Sequence, residues 1–274
     1  MKFKYKIRVI VAVFALFLSF SVIAENKNTK AKIVFEENFN GTNLNTKIWD
    51  YRQLNTYRIN AWLTTNAVKV ENGYLKMLVF SEPDTIGYKH YAGMISTQQS
   101  FNQKFGYFEA RIKFSTQPGM WSAFWLQSPT VTADLPAEQA GVEIDIMEHR
   151  RVDKEGNDVS NNIEQTLHWG GYGENHKIKR FRKPDMGTGS DFHTYGVEWT
   201  ADKYTFYYDG KPTVTWTRAD NVPISQVAQY IILTTEIWNN NWVGNIPESG
   251  YGLREDTQAY MLVDWVKAYN ECPY

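Results

Sequence analysis

Hydrophobic and polar residues alternate over short segments of this 274-residue chain, and turn residues separate the segments. Residues 74–80, 106–114 and 204–208 are rich in aromatic and branched aliphatic side chains at strand spacing, and Asn72-Gly73 is a typical hairpin turn. No long helical period is present; the best helix candidate is a short turn over residues 225–229. The pattern predicts an all-β protein, an antiparallel sandwich in a single domain.

The N-terminus has the parts of a secretory signal. Four basic residues among the first eight precede the apolar run 9–22, and Val22-Ile23-Ala24 has compact residues at the spacing expected for cleavage. A single membrane anchor is the alternative, but the run is short for a bilayer and polar residues 25–32 follow it at once. We predict a signal peptide over residues 1–24, a mature chain over 25–274, and a secreted or periplasmic protein with no membrane association after cleavage.

Composition narrows the function classes. The chain is 43% hydrophobic, with a net charge of -1, so it can bury a full core and does not resemble a disordered or nucleic-acid-coating protein. Aromatic residues make up 15% of it, which favours a surface that grips sugar faces or a protein interface. Cys272 is the only cysteine, so no internal disulfide can form, which suits a bacterial exported enzyme, expected to be monomeric.

Two long polar stretches look like surface loops. They cover residues 150–162 and 170–190, and loops of that length in a compact domain are often functional. The second contains the basic run 176–183 in an otherwise balanced chain. Such a run is usually a solvated face, but one that overhangs a binding cleft would favour an anionic ligand.

The stretch GVEIDIMEHR, residues 141–150, carries three carboxylates among strand-like residues. Glu143 and Asp145 share a strand face, whereas Glu148 would point the other way in a regular strand. A β-bulge near Met147 would return Glu148 to the shared face. Glu143 and Glu148 would then have carboxyl groups roughly 5 Å apart, the separation at which one attacks a sugar carbon while the other protonates the leaving oxygen.

The acidic stretch also allows two weaker interpretations. Acidic residues on a solvated sheet face are ordinary, but three in line repel one another and need a reason to persist. A metal site is the second alternative, since Glu143, Asp145, Glu148 and His149 are all possible ligands. His149, however, should face away from Glu148 once the strand resumes its alternation.

The segment Glu143-Ile144-Asp145-Ile146-Met147-Glu148 resembles the bulged ExDxxE signature of family 16 glycoside hydrolases, the form seen in laminarinases and agarases. Residues 106–113, 118–126, 192–200, 206–211 and 263–269 also resemble strands of that family, so the likeness spans about residues 33–270. It implies a β-jelly roll of two curved antiparallel sheets with an open concave cleft. It further implies that Glu143 is the nucleophile, Glu148 the general acid/base and Asp145 the residue between them, with retention of configuration and no catalytic cofactor.

The same resemblance implies substrate-binding and metal residues. The binding residues would be Trp121, Trp125, His168, Trp238, Asn60 and Trp62. Trp125 is also a core candidate, and His168 would either tune Glu148 or serve as a structural histidine. A structural calcium far from the cleft would involve Glu37, Gly73 and Asp264, with Asn38 as an alternative to Glu37.

Taken together, these features predict a secreted, endo-acting, retaining β-glycanase with a polysaccharide as its partner. β-1,3- or mixed-linkage glucan is the first substrate expectation. An endo-β-galactanase acting on agar, carrageenan, mucin or keratan-type chains is the alternative within the same fold. A non-catalytic lectin-like module is the alternative from another class, but it would have no use for Glu143 and Glu148 together.

Overall fold

A computed structural model describes residues 31–274, so the predicted signal peptide lies outside the described part of the chain. Residues 31–274 group into one unit. The first strands are β1 Ile33–Glu37, β2 Asp50–Tyr51, β3 Tyr57–Arg58, β4 Ala61–Leu63, β5 Val68–Glu71, β6 Tyr74–Leu78, β7 Phe80–Asp84, β8 Gly87–Ala92, β9 Met94–Ser96 and β10 Asn102–Gln103. The others are β11 Gly106–Ser115, β12 Met120–Gln127, β13 Glu143–Arg150, β14 Ile163–Trp169, β15 Lys177–Lys183, β16 His193–Trp199, β17 Lys203–Tyr208, β18 Lys211–Thr217, β19 Gln229–Ile237 and β20 Tyr260–Tyr269.

Helical structure is confined to three short pieces within residues 31–274. They are the α-helix α1 Ala137–Ala140 and the 3₁₀ turns Thr65–Ala67 and Arg218–Asp220. The helical turn predicted at residues 225–229 is wrong: residues 223–228 are irregular and β19 begins at Gln229. Within the same residues, no helix has the length and apolar character needed to cross a bilayer.

Two large antiparallel sheets form the body of the protein, and this confirms the predicted sandwich. The outer sheet runs β18-β17-β16-β11-β20-β6-β5, with β1 paired to β20. The inner sheet runs β15-β14-β13-β12-β19-β9-β2, with β10 paired to β19. A third, small sheet, β3-β4-β8-β7, has a parallel pair between β4 and β8.

The core lies between the two large sheets because their strands alternate in polarity. Phe108 and Ile112 of β11 and Phe124 of β12 are fully buried in one hydrophobic cluster that draws on both sheets. A second cluster covers part of the other face of the inner sheet, where Ala61 and Leu63 of the small sheet join residues of β12 and β19. The small sheet therefore forms a wall on the open face of the inner sheet.

The bulge predicted near Met147 is present in β13. Phe124 of β12 is opposite Met147 and Trp125 is opposite Asp145, so Ile146 is the extra residue of the pairing. Ile146 and Met147 are both fully buried in the core between the sheets. Two successive residues thus face the core, and Glu148 returns to the face that Asp145 occupies.

The basic segment predicted as a loop is instead a strand. Lys177–Lys183 forms β15, which pairs with β14 in register from Trp169↔Lys177 to Ile163↔Lys183 and lies at the edge of the inner sheet. The sequence obscures this because charged residues occupy the positions that an edge strand leaves exposed. The connection 170–176 that precedes it remains a loop.

Candidate active site

A cavity of about 1090 Å³ opens on the exposed face of the inner sheet. Strands β12, β13, β14 and β19 contribute its floor, and residues from β3 and β15 line it at the two sides. Glu143, Asp145 and Glu148 all line it, with exposed fractions of 9%, 5% and 9%. The bulge in β13 therefore brings three nearly buried carboxyl groups to one cavity.

Glu143 is held from one side by two donors. Its Oε2 accepts a hydrogen bond of 3.0 Å from Gln127 Nε2 and another from the hydroxyl of Tyr172. Gln127 is itself fixed, because its Oε1 accepts from Arg52 Nη2 at 2.7 Å and from Tyr230 Oη at 2.8 Å. Oε1 of Glu143 makes no hydrogen bond to any described residue, which leaves it free toward the cavity.

Asp145 lies between the two glutamates and beside His168. His168 Nε2 is 3.2 Å from Asp145 Oδ2, although the contact lacks good hydrogen-bond alignment and Oδ2 has no hydrogen-bond partner among residues 31–274. On its other side, His168 Nδ1 is 2.8 Å from His176 Nε2, and the two rings stack with centroids 5.0 Å apart. His168 thus contacts Asp145 rather than Glu148, the group it was predicted to tune.

Glu148 has a single hydrogen-bond donor. Thr166 Oγ1, on the neighbouring strand β14, donates to Glu148 Oε2 at 2.8 Å. Arg180 of β15 lines the same side of the cavity, and its Nε reaches Thr166 Oγ1 at 3.4 Å. The next residue after Glu148, His149, turns to the core and stacks on Phe114, so it cannot join a metal site with the three acids.

Burial raises the pKa of all three carboxyl groups. The pKa of Glu143 rises to about 8 and that of Glu148 to about 7, with repulsion from Asp145 as the second cause in both. Burial also raises the pKa of Asp145 to about 8, while Arg180 acts to lower it. Groups that repel one another so strongly bind protons as one set near neutral pH.

Hydrogen bonds indicate which member of the set carries the charge. Glu143 has a higher pKa than Glu148, yet it accepts two hydrogen bonds where Glu148 accepts one. Hydrogen bonds to a carboxylate favour its ionised form. We therefore assign the negative charge to Glu143 and a proton to Glu148 in a singly ionised pair, because Glu143 has two donors that stabilise its charge and Glu148 has one.

Aromatic side chains line the cavity beyond the acids. Trp121, Trp125 and Trp238, three of the residues expected to bind substrate, all contribute to the lining. Trp121 lies against Trp238 and Trp242, with ring centroids 6.3 Å and 5.6 Å away. Trp125 is 7% exposed and its Nε1 donates to Thr234 Oγ1 at 3.2 Å, so it serves the core and the cavity together.

Two of the predicted binding residues do not line the cavity. Asn60 Oδ1 accepts a hydrogen bond of 2.9 Å from the backbone of Asn239, so it anchors the loop that follows β19. Trp62 lies in the small sheet and is 37% exposed. Arg58 of β3 lines the cavity instead. Trp62 of β4 is opposite Tyr57, the residue before Arg58, so strand alternation places Trp62 and Arg58 on opposite faces of the small sheet.

Comparison with known proteins agrees with this geometry. The family model described as "Beta-porphyranase A-D, GH16 domain" matches residues 34–271. The endo-1,3-1,4-beta-glycanase ExsH of Rhizobium meliloti is 30% identical over 213 residues, which cover 76% of this chain and 40% of that protein. The keratan-sulfate endo-1,4-beta-galactosidase of Sphingobacterium multivorum is 24% identical over 251 residues, or 88% of this chain and 56% of that protein. The chain thus spans less than two thirds of either relative.

The fold also has close counterparts among solved structures. The endo-beta-1,3-glucanase of Pyrococcus furiosus superposes with a TM-score of 0.70 over 88% of this chain and 95% of that one, at 23% identity. At that identity the likeness establishes the jelly-roll fold alone. The family model, by contrast, covers nearly all the described residues. The chain belongs to glycoside hydrolase family 16.

The structure of this family 16 chain adds cleft residues that the sequence did not identify. Tyr172 contacts Glu143 from the loop between β14 and β15, and its only sequence signal is the preceding Gly170-Gly171 turn. Arg58 binds the buried Glu236 of β19, with 2.5 Å between Nε and Oε2. These contacts join residues far apart in the sequence, and local pattern contains no information about them.

Metal binding at the predicted calcium residues requires rearrangement in this family 16 chain. Asp264 Oδ2 already ion-pairs with Arg111 Nη1 at 2.5 Å, and Glu37 Oε1 accepts from the backbone of Phe39 at 2.9 Å. Gly73 lies in the turn between β5 and β6. The residues as placed do not fit a calcium ion unless Asp264 releases Arg111, so the calcium stays a prediction.

Proposed function

We propose that the chain is an endo-acting glycanase that hydrolyses internal β-glycosidic bonds with retention of configuration. The observation that carries the proposal is the pair Glu143 and Glu148, returned to one cavity face by the bulge and flanking Asp145. A carboxylate and a carboxylic acid that face one cleft are the two groups that such a reaction needs. A lectin-like module, the alternative, gains nothing from three nearly buried carboxyl groups.

In the proposed mechanism, Glu143 Oε1 attacks the anomeric carbon and forms a covalent bond as the glycosidic bond breaks. Glu148 donates its proton to the departing oxygen, so the leaving chain is released with a hydroxyl group. Glu148 then takes a proton from water, whose oxygen attacks the anomeric carbon on the face that the leaving oxygen occupied. The bond from this carbon to Glu143 on the opposite face breaks, so the Glu143 carboxylate is regenerated and the configuration is retained. Gln127 and Tyr172 hold Oε2 throughout and keep Oε1 directed at the sugar.

Tyr172→Phe tests this assignment of Glu143. Loss of one hydrogen bond to a charged group should lower kcat about 10- to 100-fold. The pKa of Glu143 should rise without the donor, so the acid limb of the kcat profile should move to higher pH. The counterpart Thr166→Val removes the donor to Glu148 and should instead move the basic limb to higher pH. Identical profiles for wild type and Tyr172→Phe would contradict the contact.

We further propose that the substrate is a galactan that carries anionic groups. Arg180 lines the cavity and forms no ion pair with any described residue, while Arg52 and Arg58 line the opposite side. Arg58 is neutralised by Glu236, whereas Arg180 contacts the hydroxyl of Thr166 and the ring of Trp242 and acts on Asp145 and Glu148 only from beyond ion-pair distance. An unpaired guanidinium in a cleft is suited to sulfate or carboxylate groups.

Two of the comparisons support an anionic substrate. The matching family is described by its porphyranases, and one relative is named for keratan sulfate. Another relative is named for 1,3-1,4-β-glycan, which keeps neutral glucan as the alternative. Product analysis on laminarin, lichenan, agar, porphyran, carrageenan, keratan sulfate and mucin glycans would separate these substrates, and no cleavage in the whole panel would contradict the hydrolase proposal.

Strand β15 provides a matched pair of variants for the substrate proposal. Arg180 lines the cavity, whereas Lys179 is opposite the buried Leu167 and lies on the strand face turned away from the cavity. Arg180→Ser should raise KM for the anionic galactan about tenfold and leave KM for neutral glucan unchanged; Lys179→Ser should change neither. The wild-type preference should weaken with added salt, because charges are screened over about 8 Å at physiological ionic strength. Equal effects of both variants would remove Arg180 from the specificity.

Arg180 also lowers the pKa values of Asp145 and Glu148, so the Arg180→Ser and Lys179→Ser variants are each compared at their own pH optimum.

We also propose that residues 1–24 direct export of a monomer to the periplasm or medium. Sequencing of the mature N-terminus from cell fractions, together with the mass measured by light scattering, tests both points. An intact N-terminus on exported protein would contradict the cleavage.

A further inference from the structure

Exposed hydrophobic side chains concentrate in and around the small sheet. Of the fourteen large exposed hydrophobic residues within residues 31–274, six lie between positions 54 and 88. They are Leu54, Tyr57, Ile59, Trp62, Ile86 and Tyr88. Single exposed hydrophobic residues are normal on a protein surface, but several exposed hydrophobic residues in one small sheet indicate a binding surface.

Aromatic rings form a row across the outer face of this sheet. Tyr57 of β3 is in register with Trp62 of β4, Trp62 with Tyr91 of β8, and Tyr91 with Phe80 of β7. The ring centroids of Tyr57 and Trp62 are 5.6 Å apart, and those of Phe80 and Tyr91 are 4.7 Å apart. Phe80 is buried, whereas Tyr57 is 57% exposed, so the row becomes more accessible toward the sheet edge formed by β3.

A lysine lies over the same face. Lys89 Nζ is 5.1 Å from the centre of the Trp62 ring and 5.5 Å from that of Tyr91. Glu82 is opposite Lys89 in the β7–β8 register, and it adds to burial in raising the pKa of Tyr91. The row therefore combines flat apolar rings with charged groups of both signs, a composition unlike the wholly apolar surface of a hydrophobic protein interface.

The row adjoins the cavity through one strand. In β3, Arg58 lines the cavity and its neighbour Tyr57 begins the row, and strand alternation directs the two side chains to opposite faces. Since β3 is the edge of the small sheet, a polymer that leaves the cavity past Arg58 and crosses this edge would reach Tyr57 and then Trp62. No other described strand contributes both to the cavity and to an exposed aromatic pair on its outer side.

We propose that Tyr57 and Trp62, with Lys89, form a second glycan-binding surface outside the cavity, which we call the outer aromatic row. It binds the part of the same polysaccharide that extends beyond Arg58, by contact of sugar faces with the two rings and of anionic substituents with Lys89. This proposal rests on the proposed function, because its ligand is the chain that the cavity cuts. The outer aromatic row should therefore affect long substrates only, because a short oligosaccharide would lie entirely within the cavity.

The double variant Tyr57→Ala, Trp62→Ala tests the outer aromatic row. KM on the polymer should rise about 5- to 30-fold, because each ring contact is lost, while kcat on the polymer and kcat/KM on a four-sugar fragment should stay the same. Tyr88→Ala is the matched control: Tyr88 is also exposed in β8, but it alternates to the face opposite Lys89. It should leave all three values unchanged.

Binding measured without turnover separates this proposal from the proposed function. Glu148→Gln protein, with and without the double change, is run in gels containing porphyran, carrageenan or laminarin. Weaker retardation of the double variant supports the row even if the wild type cuts none of these polymers. Equal retardation of the two Glu148→Gln proteins, together with equal KM of the wild type and the Tyr57→Ala, Trp62→Ala variant on the polymer, would overturn it. Loss of self-association by the double variant in light scattering, with unchanged glycan binding, would assign the row to a second copy of the chain and also overturn it.

Discussion

Glu143→Gln and Glu148→Gln should each lower kcat by several powers of ten, about 10³-fold or more, while folding and glycan binding persist. The amide that replaces the Glu143 carboxylate cannot form the glycosyl-enzyme bond, and the amide that replaces the Glu148 carboxyl group cannot donate a carboxylic proton. Both replacements keep the size of the side chain, and Glu143→Gln also removes a buried negative charge, so thermal stability should be equal or higher.

Glu198→Gln provides the control for these two variants. Glu198 lies in β16 of the outer sheet and pairs with Lys203, far in the topology from the cavity strands. Its replacement should leave kcat and KM unchanged. The measurement is initial rate by reducing-end release, with retardation in polysaccharide gels for binding. Hydrolysis by Glu143→Gln within tenfold of the wild type would refute Glu143 as the nucleophile.

Deletion of Met147 should remove the bulge and yet preserve part of the activity. Without it, Glu143, Asp145 and Glu148 occupy alternate positions of a regular strand, and Phe124 pairs with Ile146 while Trp125 keeps Asp145. One fully buried side chain is lost, so the free energy of unfolding should fall by about 2–5 kcal/mol. We expect kcat to fall about 10- to 1,000-fold, because 1 Å errors in reacting geometry carry costs of that order.

Deletion of Ile144 is the matched control, because it also removes one buried residue from β13 but does not remove the extra residue of the bulge. It lies in the same strand and is equally buried, but its loss slips Glu143 by one residue relative to Asp145 and turns it out of register with Gln127. This variant should retain no measurable hydrolysis. Chemical denaturation of both deletions reports their stability. Equal activity of the two deletions would contradict the role given to the bulge.

Local pattern in the sequence was sufficient for the sandwich fold and for the placement of three acids on one strand face. Alternation identified the β-sandwich, and the spacing of Glu143, Asp145 and Glu148 required a bulge whose position the pairing with β12 confirms within one residue. That inference worked because side-chain direction in a strand depends on counting residues along a single segment. The same rule placed His149 on the core side.

Local pattern failed where charge concealed an element. Residues 177–183 looked like a loop because their exposed positions are basic, yet β14 holds them as an edge strand whose side chains alternate between Arg180 at the cavity and Phe181 against the core. Edge strands are commonly charged, which blocks pairing with other chains and weakens the alternation that sequence analysis detects.

The sequence by itself determined the fold class and the placement of three acids on one strand face. Its resemblance to family 16 implied that Trp121, Trp125, Trp238 and His168 lie in one region. Only the tertiary structure decided that Tyr172 and Gln127 hold Glu143, that Arg58 rather than Trp62 enters the cavity, and that Arg180 stands unpaired there. The physical reason is the distance along the chain over which each property is determined. Side-chain direction follows from neighbours along the chain, whereas hydrogen bonds and burial depend on which strands the sheets bring together.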